Sequence, residues 1–222
     1  MSEASRTVRE YRRRWRIRLI DWAIDGFYEP LAAESRWMGV RALKNPLDAW
    51  IYQEIIHEVR PEAIVELGNA YGGGTLFLAN MLDLIQSSGV VIAVDHSHEA
   101  FSADHERISK ITGDTRATEV IADVRSRCEG KRTLVIHDAN HDAEVVLEDL
   151  RNYSPMVTPG SYLIVEDGVG DVIPARKGGR RTDGPLAATE RFLRENDDFE
   201  LDVSRERYVF TYNPRGFLRK RP

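Results

Sequence analysis

Between residues 61 and 195, short apolar runs alternate with longer amphipathic segments, and this alternation constrains the fold more than any other feature. Five runs rich in Val, Ile and Leu have the length of β-strands, at residues 63–67, 89–95, 107–112, 132–137 and 161–166. Helical patterns follow four of these runs, at residues 75–84, 118–127, 143–153 and 184–195. Strands that are apolar on both faces are typical of parallel sheets covered by helices. The sequence therefore predicts a Rossmann-like, doubly wound and mostly parallel α/β sheet.

The two ends of the chain are expected to extend this sheet in different ways. Residues 199–203 and 208–212 are predicted to form a closing antiparallel strand pair. Residues 1–60 are predicted to form an N-terminal helical extension to a domain that spans residues 61–222.

Within the extension, two helices are expected on either side of an irregular stretch. Apolar side chains at three- and four-residue spacing predict a helix over residues 8–22. The sequence Pro46-Leu47-Asp48 is typical of a helix start, and the second helix is predicted to end near Val59. Residues 26–48 are expected to be irregular because glycines and prolines interrupt them.

The charge of the chain is unevenly distributed. A formal charge of −5 arises from 31 Lys and Arg against 36 Asp and Glu, which argues against a general nucleic-acid binder. Seven arginines give the first 20 residues a charge of +5 and leave −10 for the remainder. This basic segment is interpreted as a solvated helix face, an anion-binding arm or a subunit interface, the last of which predicts a homo-oligomer.

Two further features bear on where the protein resides. No apolar run approaches the ~20 residues that a membrane-spanning helix needs, and the N-terminus lacks the apolar core of a signal peptide. The single cysteine, Cys128, favours a reducing compartment. We therefore expect a cytoplasmic protein.

Acidic residues stand at the carboxyl end of every one of the five predicted strands. Open α/β sheets bind their ligands at this edge, so the acidic excess of the chain predicts a site there. The residues concerned are Glu66, Asp95, Asp114, Asp138 and the pair Glu166-Asp167.

The first strand leads into a glycine-rich turn over residues 66–75, ELGNAYGGGT. Glycines let a ligand approach the backbone, and the next helix offers unpaired N–H groups at its start. The spacing differs from the G-x-G-x-x-G of an NAD site. Glu66 repels a pyrophosphate but suits the cationic methionyl group of S-adenosylmethionine, which we therefore favour over NAD. The predicted cofactor contacts are Glu66, Gly68, Asn69, Tyr71, Gly72, Asp95, His96 and Asp114.

A metal site is predicted beside this turn. Adjacent parallel strands lie about 5 Å apart, so Asp138, Glu166 and Asp167 are expected to share a small volume. Carboxylates held together repel each other, and a hard divalent cation such as Mg²⁺ resolves the repulsion. The cation would hold two substrate hydroxyls and lower the pKa of the reacting one. His141, three residues after Asp138, is interpreted as the general base, with a helix-capping or surface histidine as the alternative.

The chain resembles the cephalosporin hydroxylase/rhamnosyl O-methyltransferase family in several strings. These are WMGV at residues 37–40, KNPLDAWIYQEII at 44–56, VELG at 65–68, GGGT at 72–75, HDANHD at 137–142, YLIVEDG at 162–168 and GFLR at 216–219. The resemblance implies a class I methyltransferase fold that uses S-adenosylmethionine and Mg²⁺. It also implies metal ligation by Asp138, Glu166 and Asp167, with His141 as the base. Ala70 and Asn140 depart from the family pattern, which more often has glycine and aspartate there.

The sequence thus predicts an O-methyltransferase that acts on a hydroxyl of a sugar or oligosaccharide, of rhamnosyl or mannosyl type. The glycine-rich residues 168–185 are expected to cover the acceptor, with a plain surface loop as the alternative. Three other functions stay open at this point: an antibiotic-tailoring methyltransferase for a β-lactam or polyketide, an NAD-dependent oxidoreductase, and a non-catalytic binding partner.

Overall fold

A central sheet flanked by helices organises the chain, of which the computed structural model describes residues 9–13, 16–28, 34–173 and 183–222. The helices are α1 (Leu19–Tyr28), α2 (Pro46–Val59), α3 (Gly73–Leu84), α4 (Thr118–Cys128), α5 (Ala143–Tyr153), α6 (Val169–Val172) and α7 (Pro185–Glu195). The strands are β1 (Arg36–Trp37), β2 (Val40–Arg41), β3 (Ala63–Leu67), β4 (Val90–Asp95), β5 (Ile108–Thr112), β6 (Thr133–His137), β7 (Tyr162–Val165), β8 (Phe199–Leu201) and β9 (Phe217–Lys220). Strands β1 and β2 form a separate small hairpin.

The main sheet has the strand order β5-β4-β3-β6-β7-β9-β8. Its first five members are parallel, while β9 runs antiparallel to both β7 and β8. The predicted mostly parallel, doubly wound sheet with an antiparallel C-terminal end is therefore confirmed. The chain winds outward from β3 in one direction and from β6 in the other, so these two strands flank the switch point at which such sheets bind ligands.

Alternate residues of each central strand pack into two separate apolar layers. Val65 on β3 joins the layer formed with α4, α5 and α7, whereas its neighbour Ile64 joins the layer formed with α2 and α3. Both side chains are fully buried, which explains why the strands appear as continuous apolar runs in the sequence. Helix α2 contributes Ile51 and Ile55 to the second layer, so it is packed directly on the sheet.

An antiparallel strand pair forms at the C-terminal end as predicted, but one of the two strands is a different segment from the one predicted. Strand β8 forms as predicted, but it pairs with β9 and not with residues 208–212, which are a loop. This loop bonds instead to the buried carboxylate of Asp48 on α2. The Thr211 hydroxyl donates to that carboxylate at 2.6 Å and the Tyr212 amide at 2.8 Å. The Tyr212 amide, bound to a side chain in this way, is not available to a sheet ladder.

The predicted single helix over residues 8–22 is also wrong. Residues 9–13 are helical, a turn follows at residues 16–17, and α1 begins only at Leu19. The side chain of Arg18 donates two hydrogen bonds of 2.7 Å to Asp21, and an acidic residue in the first turn favours a helix start at this point. Helix α1 and the β1–β2 hairpin both lie partly or wholly in the stretch expected to be irregular.

Several predicted segments fall partly outside the described residues. In the stretch 26–48 that was expected to be irregular, positions 29–33 lie outside them. In the predicted helix over residues 8–22, positions 8, 14 and 15 lie outside them. In the predicted acceptor-covering segment 168–185, positions 174–182 do.

The described part of the N-terminal segment exposes apolar side chains. Ile17, Leu19, Ile20 and Trp22 are each at least 40% exposed. A subunit interface at this segment stays a prediction. Within the described ranges, no helix combines the length and the apolar character that crossing a membrane requires.

The Asp48 contact predicts how stability depends on pH. Burial raises the pKa of Asp48 to about 6, although hydrogen bonds from Thr211, Tyr212 and Asn45 oppose the rise. Because the folded pKa lies above the unfolded value, the contribution of Asp48 to stability is present below about pH 4 and is lost as the pH rises through 6. An Asp48→Asn variant does not titrate. Relative to that variant, we expect the wild type to lose on the order of 2 kcal/mol of unfolding free energy between pH 4 and 7.5.

Urea unfolding of both proteins at several pH values measures this difference. A constant difference between wild type and variant across the range would contradict the assignment.

Candidate active site

A cavity of about 820 Å³ opens at the carboxyl ends of the parallel strands. This size is ample for a nucleoside-sized ligand. Most of the predicted site residues border it: Glu66, Gly68, Asn69, Tyr71, Asp95, His96, Asp114, Asp138, His141 and Asp167. The structure therefore brings together acidic residues from five different strand ends, as expected.

Gly68 joins the turn after β3 to the turn after β6. It has a φ of +86°, and a Cβ atom at this position would lie 2.0 Å from the carbonyl oxygen of Asp138. Next to it, the Asp138 amide donates to the Leu67 carbonyl at 2.7 Å. Only glycine permits both the backbone conformation and this close approach. Gly72, at the start of α3, is needed in a similar way, because a Cβ there would overlap the ring of Phe101 at 2.8 Å.

Glu66 and Asn69 form a buried acceptor group in the wall of the cavity. The Glu66 carboxylate accepts hydrogen bonds from the Thr75 hydroxyl at 2.5 Å and the Asn69 amide at 2.9 Å. Burial raises the pKa of Glu66, against the opposing effect of a nearby lysine. Among the described residues, Asn69 Oδ1 is buried without a hydrogen-bond donor. A ligand that carries N–H donors, such as an ammonium group, satisfies this atom.

Asp95 is held in its ionised form at the end of β4. Burial opposes ionisation, but backbone N–H groups of Asn69, Ala70 and Ser97 outweigh it and keep the pKa of Asp95 below its usual value. Ala70 itself has a φ of +45°, the left-handed region that favours glycine, so its departure from the family pattern stores backbone strain. Asp114 is more exposed and is paired with Arg116 at 2.9 Å.

A lysine that sequence reasoning missed sits at the centre of the carboxylates. Lys44 Nζ lies 2.7 Å from an oxygen of Asp138, 2.7 Å from an oxygen of Glu166 and 3.7 Å from Glu66. Gly74 makes room for it, since a Cβ there would lie 2.7 Å from Lys44 Cε. The three carboxylates outweigh the effect of burial and hold the pKa of Lys44 well above its usual value. The ammonium group is therefore charged at neutral pH and cannot act as a base.

The ammonium group of Lys44 does not offset all the negative charge of the surrounding carboxylates. Burial raises the pKa of Asp138, and burial together with repulsion by Asp138 raises the pKa of Glu166, although Lys44 lowers both. On the open side, ligand atoms of Asp138, His141 and Asp167 all lie within 4.8 Å of one another. Oxygen-rich donor sets with unbalanced negative charge fit a hard divalent cation.

His141 borders the cavity and does not cap a helix. Its Nε2 lies 3.2 Å from an oxygen of Asp167. The cap of α5 is instead Asp142, whose side chain accepts from the Glu144 amide at 3.1 Å. The structure thus excludes helix capping by His141, while its side chain is 39% exposed, so the surface alternative to the base role stays open. His137, by contrast, is buried and pairs with Asp149 at 3.0 Å.

Asp167 is hydrogen-bonded to the loop that replaces the expected strand. It has a φ of +60°, and its amide donates to Asn213 Oδ1 at 3.3 Å. The Asn213 amide group in turn donates to the Tyr52 hydroxyl on α2 at 2.9 Å. Asn213 is almost completely buried, so this bridge ties the turn after β7 to α2.

The sheet order, the glycine-walled cavity at the switch point and the carboxylate cluster together define a class I methyltransferase-like protein. Residues 30–221 match the family described as Rhamnosyl O-methyltransferase/CmcI. The chain belongs to this family, as the sequence predicted, and is accordingly an O-methyltransferase.

Individual relatives agree with this assignment. A rhamnosyl O-methyltransferase of Mycobacterium leprae is 35% identical over 193 residues, which cover 83% of this chain and 82% of the relative. A rhamnosyl O-methyltransferase of Mycobacterium bovis is 31% identical, with 83% and 78% covered. A solved structure described as "cmcI-D160 Mg-SAM" aligns with a TM-score of 0.66 at 21% identity, over 85% of this chain and 77% of that one. At that identity the likeness supports the fold.

The Gly68 contact predicts a large difference between two glycine substitutions. Gly68→Ala forces a Cβ against the Asp138 carbonyl, and we expect it to lower the unfolding free energy by about 4 kcal/mol or more. Gly130→Ala is the matched control, because Gly130 also has a positive φ, of +70°, but has open space around it. The control should cost about 1 kcal/mol. Denaturant unfolding measures both, and equal losses would show that the contact does not constrain the two turns.

Proposed function

We propose that the chain transfers a methyl group from S-adenosylmethionine to a hydroxyl of a sugar or oligosaccharide, of rhamnosyl or mannosyl type, with Mg²⁺ as second cofactor. The relatives named rhamnosyl O-methyltransferase support the sugar acceptor. The structural relative whose description includes Mg and SAM supports both cofactors. The observation that carries the proposal is a single cavity bordered both by the Glu66–Asn69 acceptor group and by the Asp138–His141–Asp167 cluster.

The cofactor side of the cavity suits a cationic nucleoside. Glu66 and the unsatisfied Asn69 Oδ1 would receive the ammonium group of the methionyl part. The ionised Asp95 would accept the ribose hydroxyls, and Gly68, Tyr71, His96 and Asp114, which border the cavity, would complete the pocket. Gly72, the remaining predicted contact, does not border the cavity but caps α3 beside it. The acidic wall repels a pyrophosphate, which counts against NAD.

The chemistry centres on the acceptor hydroxyl. Asp138 and Asp167 of this cluster would hold Mg²⁺, with Glu166, which lies outside the cluster, as the third ligand that the sequence predicts. When bound, Mg²⁺ would lower the pKa of a hydroxyl beside it. His141 takes up the hydroxyl proton, and the Asp167 carboxylate, 3.2 Å from Nε2, stabilises the charged ring. The acceptor oxygen forms a bond to the methyl carbon as the carbon–sulfur bond breaks. Bound S-adenosylmethionine would supply the methyl group, and the electron pair of that bond would stay on sulfur to give the neutral thioether S-adenosylhomocysteine.

Two measurements test the proposal as a whole. Isothermal titration should detect S-adenosylhomocysteine binding, and no binding at millimolar concentration would contradict the cofactor assignment. Incubation with labelled S-adenosylmethionine, Mg²⁺ and a panel of rhamnosides, mannosides, β-lactams and macrolides identifies the acceptor by mass spectrometry. Labelling of a β-lactam or macrolide alone would replace the sugar acceptor with an antibiotic. Cofactor binding without methylation of any acceptor would favour a binding partner.

The base role predicts a specific kinetic effect of His141→Gln. We expect kcat to fall by a factor of about 10² to 10⁴, because a positioned general base contributes that much, while S-adenosylhomocysteine affinity is retained. His105→Gln is the control, since His105 binds Asp83 outside the cavity. If His141→Gln keeps wild-type kcat across the pH range, another group is the base.

The metal role predicts that Asp167→Asn weakens Mn²⁺ binding and lowers methyl transfer by more than about 100-fold, since one charged ligand is lost. Chelation of the metal should abolish turnover in the wild type. Asp142→Asn removes the same charge from the helix cap two residues before Glu144, and asparagine also caps helices well. This control should leave both quantities unchanged. Turnover that is insensitive to chelator would rule out the metal.

A further inference from the structure

Lys44 lies between carboxylates, and a metal ion would bind at the same carboxylates. Its ammonium group is within 2.7 Å of one oxygen of Asp138 and one oxygen of Glu166. Both residues belong to the set that the proposed function assigns to Mg²⁺. The lysine side chain is only 16% exposed, so its charge is largely removed from solvent.

The residues that pack around Lys44 accommodate a cation at the position of its ammonium group. Gly74 leaves the space that its Cε fills, and Glu66 faces it from β3 at 3.7 Å. A buried ammonium group is costly unless it is paired. Here it is paired twice, with two carboxylates that would otherwise repel each other.

We propose that Lys44 is a built-in counter-ion that holds Asp138 and Glu166 together and competes with the divalent cation for them. It acts through these two carboxylates and is therefore a positioning residue. Two cations that share the same carboxylates weaken each other's binding, because each repels the other and neutralises part of the charge that attracts it. The inference rests on the proposed metal-dependent function.

The consequence is a site that remains assembled between metal-binding events. With Lys44 present, loss of the divalent cation leaves Asp138 and Glu166 bridged. Without Lys44, the divalent cation becomes the main partner of these carboxylates. Removal of the lysine charge should therefore strengthen both metal binding and the stabilisation that the metal provides.

The test is Mn²⁺ binding to the full chain, measured by electron paramagnetic resonance and isothermal titration at pH 7.5. Lys44→Met should bind Mn²⁺ about tenfold more tightly than the wild type, while its S-adenosylhomocysteine affinity changes by less than about threefold. Lys44→Arg retains the charge and should stay close to the wild type. Arg116→Met is the matched control, because it removes one positive charge from the same cavity at a residue paired with Asp114.

Each outcome decides between distinct conclusions. Mn²⁺ affinity in Lys44→Met that equals or falls below the wild-type value overturns the inference and leaves the metal-dependent function intact. Absence of Mn²⁺ binding to the wild type contradicts the metal assignment and the inference together. An equal gain in Arg116→Met would show a general charge effect and would also overturn it.

A second variant tests the proposal if Lys44→Met folds poorly. Lys44→Gln keeps a hydrogen-bond donor on a shorter side chain and removes the charge. Its melting temperature should rise more on Mn²⁺ addition than that of the wild type. If Mn²⁺ stabilises the variant and the wild type equally, Lys44 does not compete with the metal.

Discussion

The parallel pairing of β3 with β6 is the constraint on which the rest of the site depends. It places Leu67 beside His137 in register, so the residues that follow each strand emerge together at the switch point. Gly68 then touches the main chain of Asp138, and the glycine-rich turn and the carboxylate cluster become walls of one cavity. Methyl transfer needs this juxtaposition, because donor carbon and acceptor oxygen react only when held in near-attack geometry.

Most of the fold and the acidic part of the site could be predicted because both depend on local signals. Glu66, Asp95 and Asp138 each stand at or just after the end of a buried strand, and the sheet topology brings such positions together. Strand β9 escaped prediction because its four residues, FLRK, include only two apolar side chains. Lys44 escaped because its partners are 94 and 122 residues away along the chain, and nothing in its neighbourhood indicates where its side chain reaches.

The difference between the predicted and the observed C-terminal strands affects the candidate site. Residues 208–212, expected to be a strand, form a loop that bonds to Asp48, and the side chain of the next residue, Asn213, accepts from the amide of Asp167. A strand at this place would have directed the Tyr212 amide into a ladder. The sheet instead closes one segment later, which leaves the loop to support a left-handed turn that carries a proposed metal ligand.

Lys44 also limits where the chain can be cut to give a functional fragment. The lysine comes from the segment before α2, outside residues 61–222, while its carboxylate partners lie within them. A fragment cut at residue 60 would lose Arg41, Leu43 and Lys44 from the cavity wall, and it would leave two acids without their resident cation. The same holds for chimaeras that exchange the N-terminal segment with that of a relative. The functional unit thus includes the segment that precedes the sheet. A truncated or chimaeric protein must keep this segment together with the sheet whose carboxylates Lys44 contacts.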